Sequence, residues 1–257
     1  MIEPELERDG EGGDCDETGV VLFVSDTHLT PALPEGIDCF LRFLSGPCAA
    51  ASRVILLGDL FDFWVSPSQA RTPGLSDVLA RLASLAAAGV DVGFVEGNRD
   101  FAATPELRDA GVRSLPDVGV LASGGRRVAF THGDLLCTRD VRYQALRRVA
   151  RTQIVRHLLR VLPERAAISL GEGAREGSRR ETTRKAEGDM GLVPAAVAAL
   201  LRDRDADALV CGHVHWGRRH SLVVEGTPRD VVVLSAWEDA GTYARVEAGR
   251  IDFVRFA

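Results

Sequence analysis

The sequence predicts an α/β fold built from stacked layers, and three observations support that prediction. Short apolar, β-branched runs recur from Val20 to Cys211, helical periodicity lies between several of them, and polar residues directly follow each run. Alternation of such strands and helices is typical of layered α/β proteins. Ligands of open α/β sheets bind beyond the carboxyl ends of the strands, so the polar residues at those ends are the first candidates for function.

Five segments are predicted to be buried strands because they are short, apolar and rich in β-branched residues. They are residues 20–24, 53–57, 90–95, 127–130 and 207–211. Helices are predicted at 38–44 and 75–88, where apolar residues recur at helical spacing. After Arg219 the pattern changes to short strands separated by turns, which are predicted at 221–225, 230–235, 241–247 and 250–255.

Residues 141–162 depart from this pattern of short strands and connecting segments. Apolar residues recur there at helical spacing with arginines between them, and Pro163 follows, which predicts one basic amphipathic helix. A polar, Arg-rich stretch continues to Gly188. We therefore predict a helical cap, inserted over the strand ends at about residues 139–190. The apolar face of the helix has two readings: it packs on the protein's own core, or it meets an apolar ligand or a membrane surface.

Composition limits the functional classes. The chain has 257 residues and a net charge of −6, and its first 18 residues are mostly acidic or Gly, so we predict a disordered tail at 1–18 and one domain at 19–257. An export signal and an apolar run of membrane-spanning length are both absent from the sequence. The five cysteines are odd in number and scattered, which favours reduced thiols and a cytoplasmic location. Nucleic-acid binding is not expected from an acidic chain without a reader motif.

Five short motifs at the strand ends carry the candidate chemistry. They are Asp26-Thr27-His28, Gly58-Asp59, Gly97-Asn98-Arg99-Asp100, His132-Gly133-Asp134 and Gly212-His213-Val214-His215. Oxygen and imidazole donors without a thiolate suit Mn²⁺, Fe²⁺ or Zn²⁺. Two metals about 3.5–4 Å apart need a bridging carboxylate, and Asp59 is a lone Asp after an apolar strand. Each motif alone is a weak signal, but all five in one fixed order are hard to obtain by chance.

The order D-x-H, G-D, G-N, H-G, G-H-x-H resembles the calcineurin-like metallophosphoesterase superfamily from about Val20 to Phe256. The resemblance implies a four-layer α/β/β/α sandwich and a hydrolase with two divalent ions, for which Mn²⁺ is expected. One implied ligand set is Asp26, His28, Asp59 and His215. The other is Asp59, Asn98, His132 and His213, so that Asp59 bridges.

The residues that flank these motifs, together with the stretches 140–144 and 231–237, resemble a narrower family, UDP-2,3-diacylglucosamine pyrophosphatase of lipid A synthesis. The implied products are UMP and 2,3-diacylglucosamine 1-phosphate. The implied catalytic residues are Asp59, Asn98, Arg99 and His132. The implied substrate contacts are Asn98, Arg99, Asp140, Tyr143, Arg175, Ser178, Lys185 and His213. This lipid-nucleotide substrate would place the apolar face of the cap against acyl chains, or against the cytoplasmic face of the inner membrane.

Four departures from that family leave the fine substrate preference open. Glu96 replaces an expected His, Arg139 an acidic residue and Trp216 an Arg, and residues 66–68 replace a Gly-Asp-Asp. Two alternatives therefore remain: a general phosphodiesterase or phosphatase for soluble nucleotides, and a scaffold of the same fold that has lost catalysis.

Overall fold

The computed structural model describes residues 18–163, 191–237 and 241–256, and also residues 166, 169 and 173. Among these residues the strands are β1 (Val21–Val24), β2 (Arg53–Leu56), β3 (Asp91–Phe94), β4 (Arg113–Ser114), β5 (Val118–Ser123), β6 (Arg126–Thr131), β7 (Ala208–Cys211), β8 (Arg218–Val224), β9 (Thr227–Val233), β10 (Gly241–Glu247) and β11 (Arg250–Phe256). The α-helices are α1 (Pro34–Ser45), α2 (Leu75–Ala87), α3 (Thr104–Asp109), α4 (Val141–Ala150), α5 (Gln153–Val161) and α6 (Pro194–Asp203).

The strands form two mixed sheets. The first has the order β11-β10-β1-β2-β3-β4, in which β1 to β4 run parallel and β10 and β11 are antiparallel to their neighbours. The second has the order β5-β6-β7-β9-β8, with β6, β7 and β9 parallel. The parallel strands of each sheet therefore bring their carboxyl ends to one edge, which is where the candidate residues follow them in sequence.

Alternation along β1 shows how the layers stack. Val21 and Phe23 lie in a core shared with the second sheet, whereas Leu22 and Val24 pack with α1 and α2 on the opposite face. The outer face of the second sheet packs against α6. Successive side chains of a strand point to opposite faces, so strands that are apolar throughout are buried on both sides. The expected four-layer α/β/β/α sandwich is confirmed.

Predicted and observed elements agree in type and differ at their ends. The five apolar strands are present within one or two residues of the predicted limits, and α1 begins earlier than the predicted start at Asp38 because Pro34 supplies a favourable first helical residue. The sequence analysis did not identify β4, β5, α3 or α6. The predicted disordered tail at 1–18 falls almost entirely on residues outside those described.

The prediction of one helix over 141–162 is wrong. The structure has α4 and α5, separated at Arg151 and Thr152. The Thr152 hydroxyl accepts a hydrogen bond from the Val155 amide and so caps the start of α5. A side chain that caps a helix N-terminus satisfies amides which have no partner inside the helix, and this stabilises a new start at a point where the periodicity alone continues.

Among the described residues, no helix is both long and apolar enough to cross a membrane.

Candidate metal centre and active site

Seven polar side chains from both sheets meet at one edge of the sandwich. Asp26, Asp59 and Asn98 follow β1, β2 and β3 of the first sheet, and His132 and His213 follow β6 and β7 of the second. His28 and His215 lie two residues beyond Asp26 and His213. The Asp26 carboxylate accepts a hydrogen bond of 2.9 Å from the His213 amide, which ties the end of β1 to the end of β7. The structure thus brings together all seven residues predicted as metal ligands.

The backbone is strained at this edge. Eight non-glycine residues of the described chain have positive φ, and five of them are predicted ligands, with φ between 47° and 68°: Asp26, His28, Asp59, His213 and His215. Left-handed backbone is uncommon for residues with a Cβ and costs about 1–3 kcal/mol each. Such strain persists where the surrounding fold imposes it, and its concentration here marks the edge as a functional site.

One group of donors converges on the Asn98 side chain. Asn98 Oδ1 lies 3.1 Å from His132 Nε2 and 3.0 Å from His213 Nδ1, and the two imidazole nitrogens are 3.2 Å apart. His132 Nδ1 lies 2.7 Å from the Leu57 carbonyl, which can only accept, so Nδ1 carries a proton and Nε2 is the nitrogen that faces the group. A backbone carbonyl that sets the tautomer in this way is common for metal-binding histidines.

A second group lies beside the first. His215 Nε2 is 3.2 Å from Asp26 Oδ1, and His28 Nε2 is 4.0 Å from the same oxygen. Asp59 lies between the two groups: its Oδ1 is 3.8 Å from His132 Nε2, and its Oδ2 is 3.6 Å from His28 Nε2. Asp59 therefore turns one oxygen towards each group, as a bridging carboxylate must.

The electrostatics of the cluster suit cations. Burial alone would raise the pKa values of Asp26 and Asp59, but the neighbouring histidines outweigh it and hold both below their ordinary range. Burial and the nearby His132 lower the pKa of His213 to about 4, so this imidazole is neutral near neutral pH and becomes charged only in acid. Ionised carboxylates, a neutral imidazole and a carboxamide oxygen form the donor set of a divalent metal site. The residues present therefore fit divalent metal ions.

Arg99 and Asp62 lie beside Asp59. The Arg99 guanidinium donates to Asp62 Oδ1 over 2.9 Å, and its Nε is 3.4 Å from Asp59 Oδ2. The Arg99 amide also donates to Asp59 Oδ1 over 2.9 Å. The Arg99 side chain remains 28% exposed, so a phosphate at the cluster has access to it. A guanidinium in this position can bind phosphoryl oxygens in a bidentate fashion.

Sequence reasoning gave no role to Asp100, although it follows Arg99 in the same motif. Asp100 is fully buried, and its carboxylate accepts hydrogen bonds from the amides of Asp59, Leu60 and Gly97. Burial, followed by the charge of Asp59, raises the pKa of Asp100 to about 7. Asp100 thus joins the turn after β2 to the turn after β3. The motif Gly-Asn-Arg-Asp was the only signal, and apart from Gly97 the partners of its last residue lie 39 to 41 positions away.

The predicted substrate contacts outside the metal cluster and Arg99 divide into two sets. Asp140 is the N-cap of α4, where its side chain accepts from the Tyr143 amide. Tyr143 lies with its ring centroid 5.8 Å from that of His213, and its hydroxyl donates to Asp134 over 2.8 Å. Tyr143 is therefore at the edge of the metal cluster, and Asp140 lies three residues before it at the start of α4. Arg175, Ser178 and Lys185 lie outside the described residues. Trp64, which follows the Asp59 turn, is a core side chain packed against Phe61.

Comparison with known proteins agrees with this geometry. Residues 19–217 match the model of the calcineurin-like phosphoesterase family. A UDP-2,3-diacylglucosamine hydrolase of Stenotrophomonas maltophilia is 36% identical over 236 residues, which cover 89% of this chain and 95% of that protein. Proteins with the same name from Bordetella pertussis and Aeromonas salmonicida are 38% and 35% identical, over 86% of this chain and 86% and 87% of their own lengths.

The family model spans most of the chain, and its limits enclose all seven predicted ligands as well as the cap. The relatives match along most of their own length as well as most of this one. On this evidence the chain belongs to the calcineurin-like phosphoesterase family.

Proposed function

We propose that this chain hydrolyses the diphosphate of UDP-2,3-diacylglucosamine and releases UMP and 2,3-diacylglucosamine 1-phosphate. As a member of its family, the chain is a metal-dependent hydrolase of phosphoric esters. The observation that carries the proposal is the position of Asp59 between two groups of oxygen and imidazole donors. Relatives named for this reaction are 35–38% identical over most of the chain.

Two ligand sets follow from this arrangement. Asp26, His28, Asp59 and His215 would hold one divalent ion. Asp59, Asn98, His132 and His213 would hold the other, and we propose Mn²⁺ for both. When bound, two such ions supply Lewis acidity that polarises phosphoryl oxygens and lowers the pKa of water.

The chain's own residues then bind and orient the substrate. The Arg99 guanidinium, next to Asp59, binds the phosphoryl oxygens and offsets the negative charge that grows on them. Asp62 holds that guanidinium in place over 2.9 Å. Asn98 and His213 contact the substrate from the metal cluster, and Asp140 and Tyr143 face the sugar from the start of α4. We assign Arg175, Ser178 and Lys185 of the cap to the headgroup by resemblance alone.

The described part of the cap offers an apolar surface for the lipid. Six apolar side chains of α4 and α5 are 49–80% exposed: Val141, Leu146, Val149, Ile154, Leu158 and Val161. Contiguous exposed apolar residues of this kind mark sites for ligands or membranes. We propose that this face meets acyl chains at the cytoplasmic face of the inner membrane.

A direct assay tests the proposal. Purified protein with Mn²⁺ is given UDP-2,3-diacylglucosamine and, separately, UDP-N-acetylglucosamine, and UMP release is followed. We expect release from the diacylated substrate only, because the cap binds the acyl chains. Equal turnover of both substrates would contradict the proposal and favour a general phosphodiesterase for soluble nucleotides. Metal analysis covers the scaffold alternative: about two ions per chain support an enzyme, and none would support a scaffold.

A further inference from the structure

Three arginines in or between α4 and α5 are turned inwards. A basic amphipathic helix ordinarily exposes its cations, but the Arg147, Arg151 and Arg156 side chains are only 10%, 11% and 21% exposed. Each of them reaches acidic or carbonyl groups of the two sheets' connecting segments. These three arginines therefore connect the base of the cap to the body of the protein.

Arg151 binds the backbone just before the metal cluster. Its guanidinium donates to the Glu96 carbonyl over 2.9 Å and to the Gly97 carbonyl over 3.0 Å. The same side chain reaches Asp117 at 2.5 Å and Asp134 at 3.4 Å. Gly97 and Glu96 immediately precede Asn98, whose oxygen meets His132 and His213. Arg151 thus holds the start of the segment that carries Asn98 and Arg99.

Arg156 binds both ends of the same segment. It donates to the two Glu96 carboxylate oxygens over 2.8 Å and 2.6 Å and to the Phe101 carbonyl over 2.7 Å. Its guanidinium also lies 5.6 Å from the Phe101 ring centre. The paired Glu96 stands where the narrower family is expected to have a His, so this chain replaces that residue with an ion pair to the cap.

The segment from Glu96 to Phe101, which we call the Asn98 loop, depends on such contacts. Residues 95–100 are not in a helix or strand, so no ladder of backbone hydrogen bonds holds them. Gly97 sits so close to Asp59 that a Cβ there would collide with the Asp59 backbone nitrogen. A small displacement of the loop would therefore move the Asn98 oxygen and the Arg99 guanidinium away from the cluster.

We infer that Arg151 and Arg156 are positioning residues, which act through the Asn98 loop to hold Asn98 and Arg99 against the metal centre. The cap is thereby a support for the catalytic edge as well as a cover for the substrate. The inference rests on the proposed roles of Asn98 and Arg99 in the metal centre, and it is independent of which phosphoester is cleaved.

The test compares Arg151→Gln and Arg156→Gln with Arg160→Gln. Arg160 is the matched control, because it lies on α5 and pairs with Glu106 at 3.0 Å, but its side chain is 45% exposed and does not touch the Asn98 loop. Each variant is assayed with the diacylated UDP-glucosamine and with bis(p-nitrophenyl) phosphate, a small diester that needs no cap. Mn²⁺ binding to the metal-free proteins is measured by calorimetry, and hydrogen exchange of the Asn98 loop by mass spectrometry.

For Arg151→Gln we expect kcat to fall on both substrates by about 10- to 100-fold, because misplaced catalytic groups lose rate of that order. The KM for the small diester should stay within about twofold, since positioning residues do not touch it. One of two Mn²⁺ sites should weaken, and amides of the Asn98 loop should exchange faster. Arg156→Gln should show the same pattern more weakly, and Arg160→Gln should match the wild type.

Three results would overturn the inference: unchanged kcat in folded Arg151→Gln and Arg156→Gln, a change of KM for the lipid substrate alone, or unchanged Mn²⁺ binding and loop exchange. If Arg151→Gln does not fold, Glu96→Gln replaces it, because this variant weakens the Arg156 pair and leaves the carbonyls of the loop in place. A wild type that cleaves only the small diester would refute the proposed substrate, while the positioning test would still be read on that diester.

Discussion

Replacing Asp134 with asparagine removes a negative charge from a buried position beneath the cap. Asp134 is 1% exposed, and its Oδ2 accepts from Arg147 Nε at 2.7 Å, from the Tyr143 hydroxyl at 2.8 Å and from Arg151 at 3.4 Å. The asparagine has nearly the same shape, so it creates no cavity. It does remove one of the two carboxylates that the Arg147 and Arg151 guanidinium groups share, the other being Asp117, and it is therefore expected to destabilise the fold.

Two independent routes give the size of the effect. Burial raises the pKa of Asp134, but the charges of His132, His213, Arg151 and Arg147 outweigh it and lower the pKa to about 2 from the ordinary 3.8. A shift of this size corresponds to roughly 2–3 kcal/mol of stability at neutral pH. Removal of one partner from a buried ion pair costs about 3–5 kcal/mol. We therefore predict a loss of about 2–5 kcal/mol in the free energy of unfolding.

The pH dependence has a definite sign. The pKa of Asp134 is lower in the folded protein than in the unfolded chain. The ionised carboxylate therefore contributes its full stabilisation above the unfolded pKa of 3.8, and this stabilisation is lost as the pH falls through about 2. The difference in the free energy of unfolding between the wild type and Asp134→Asn should therefore be constant near neutral pH and should narrow below about pH 4.

The assay is urea unfolding of the metal-free proteins, followed by circular dichroism at several pH values. The matched control is Asp203→Asn, since Asp203 pairs with Arg202 on α6 at 3.1 Å but its side chain is 63% exposed. An exposed pair contributes less than about 1 kcal/mol, so this control should differ little from the wild type. Two results would contradict the assigned role of Asp134. One is a loss below about 0.5 kcal/mol in the free energy of unfolding of Asp134→Asn. The other is a stability difference from the wild type that does not narrow in acid.

Three further predictions concern the metal centre and the fold. Asp59→Asn should reduce activity by roughly a hundredfold or more and lower the metal content below that of the wild type, because an amide offers only one oxygen. Retained metal together with full activity would disprove the proposed bridging role of Asp59. Trp64→Ala should lower the free energy of unfolding by about 3–5 kcal/mol, since this side chain is 1% exposed; urea titration checks it, and a loss under 1 kcal/mol would contradict the packing. Thr152→Ala should cost about 1 kcal/mol by loss of the α5 cap; an unchanged melting temperature would argue against the helix break.

Much of the fold could be predicted from local sequence patterns. Runs such as residues 20–24 and 207–211 encode a strand by their own composition, and the residues at their ends follow from chain order. The break between α4 and α5 could not be predicted in the same way, because the apolar and arginine periodicity continues across Thr152. Edge strand β4 was missed since its two residues, Arg113 and Ser114, are exposed and polar.

The candidate site, like the fold, could be predicted from the sequence only in part. The types and order of the seven metal-binding candidates could be read from the motifs, since each follows its strand directly. Roles for Asp100, Asp134 and Arg151 could not, because their partners lie on other elements: Asp100 holds Asp59, Asp134 holds Arg147 of α4, and Arg151 holds Glu96 and Gly97. The partner of a charged residue in a motif can be identified only from the folded structure.

The five apolar strands, the layered α/β class and the identity of the donors at the strand ends could be predicted from local patterns, because strand formation and burial depend on local periodicity. The orientation of Asp59, with one oxygen towards each group, and the inward direction of Arg147 and Arg156, towards Asp134 and Glu96, are visible only in the folded structure. Both are matters of orientation between segments tens of residues apart. Such orientation is set by the packing of the two sheets and the cap, which no local pattern encodes.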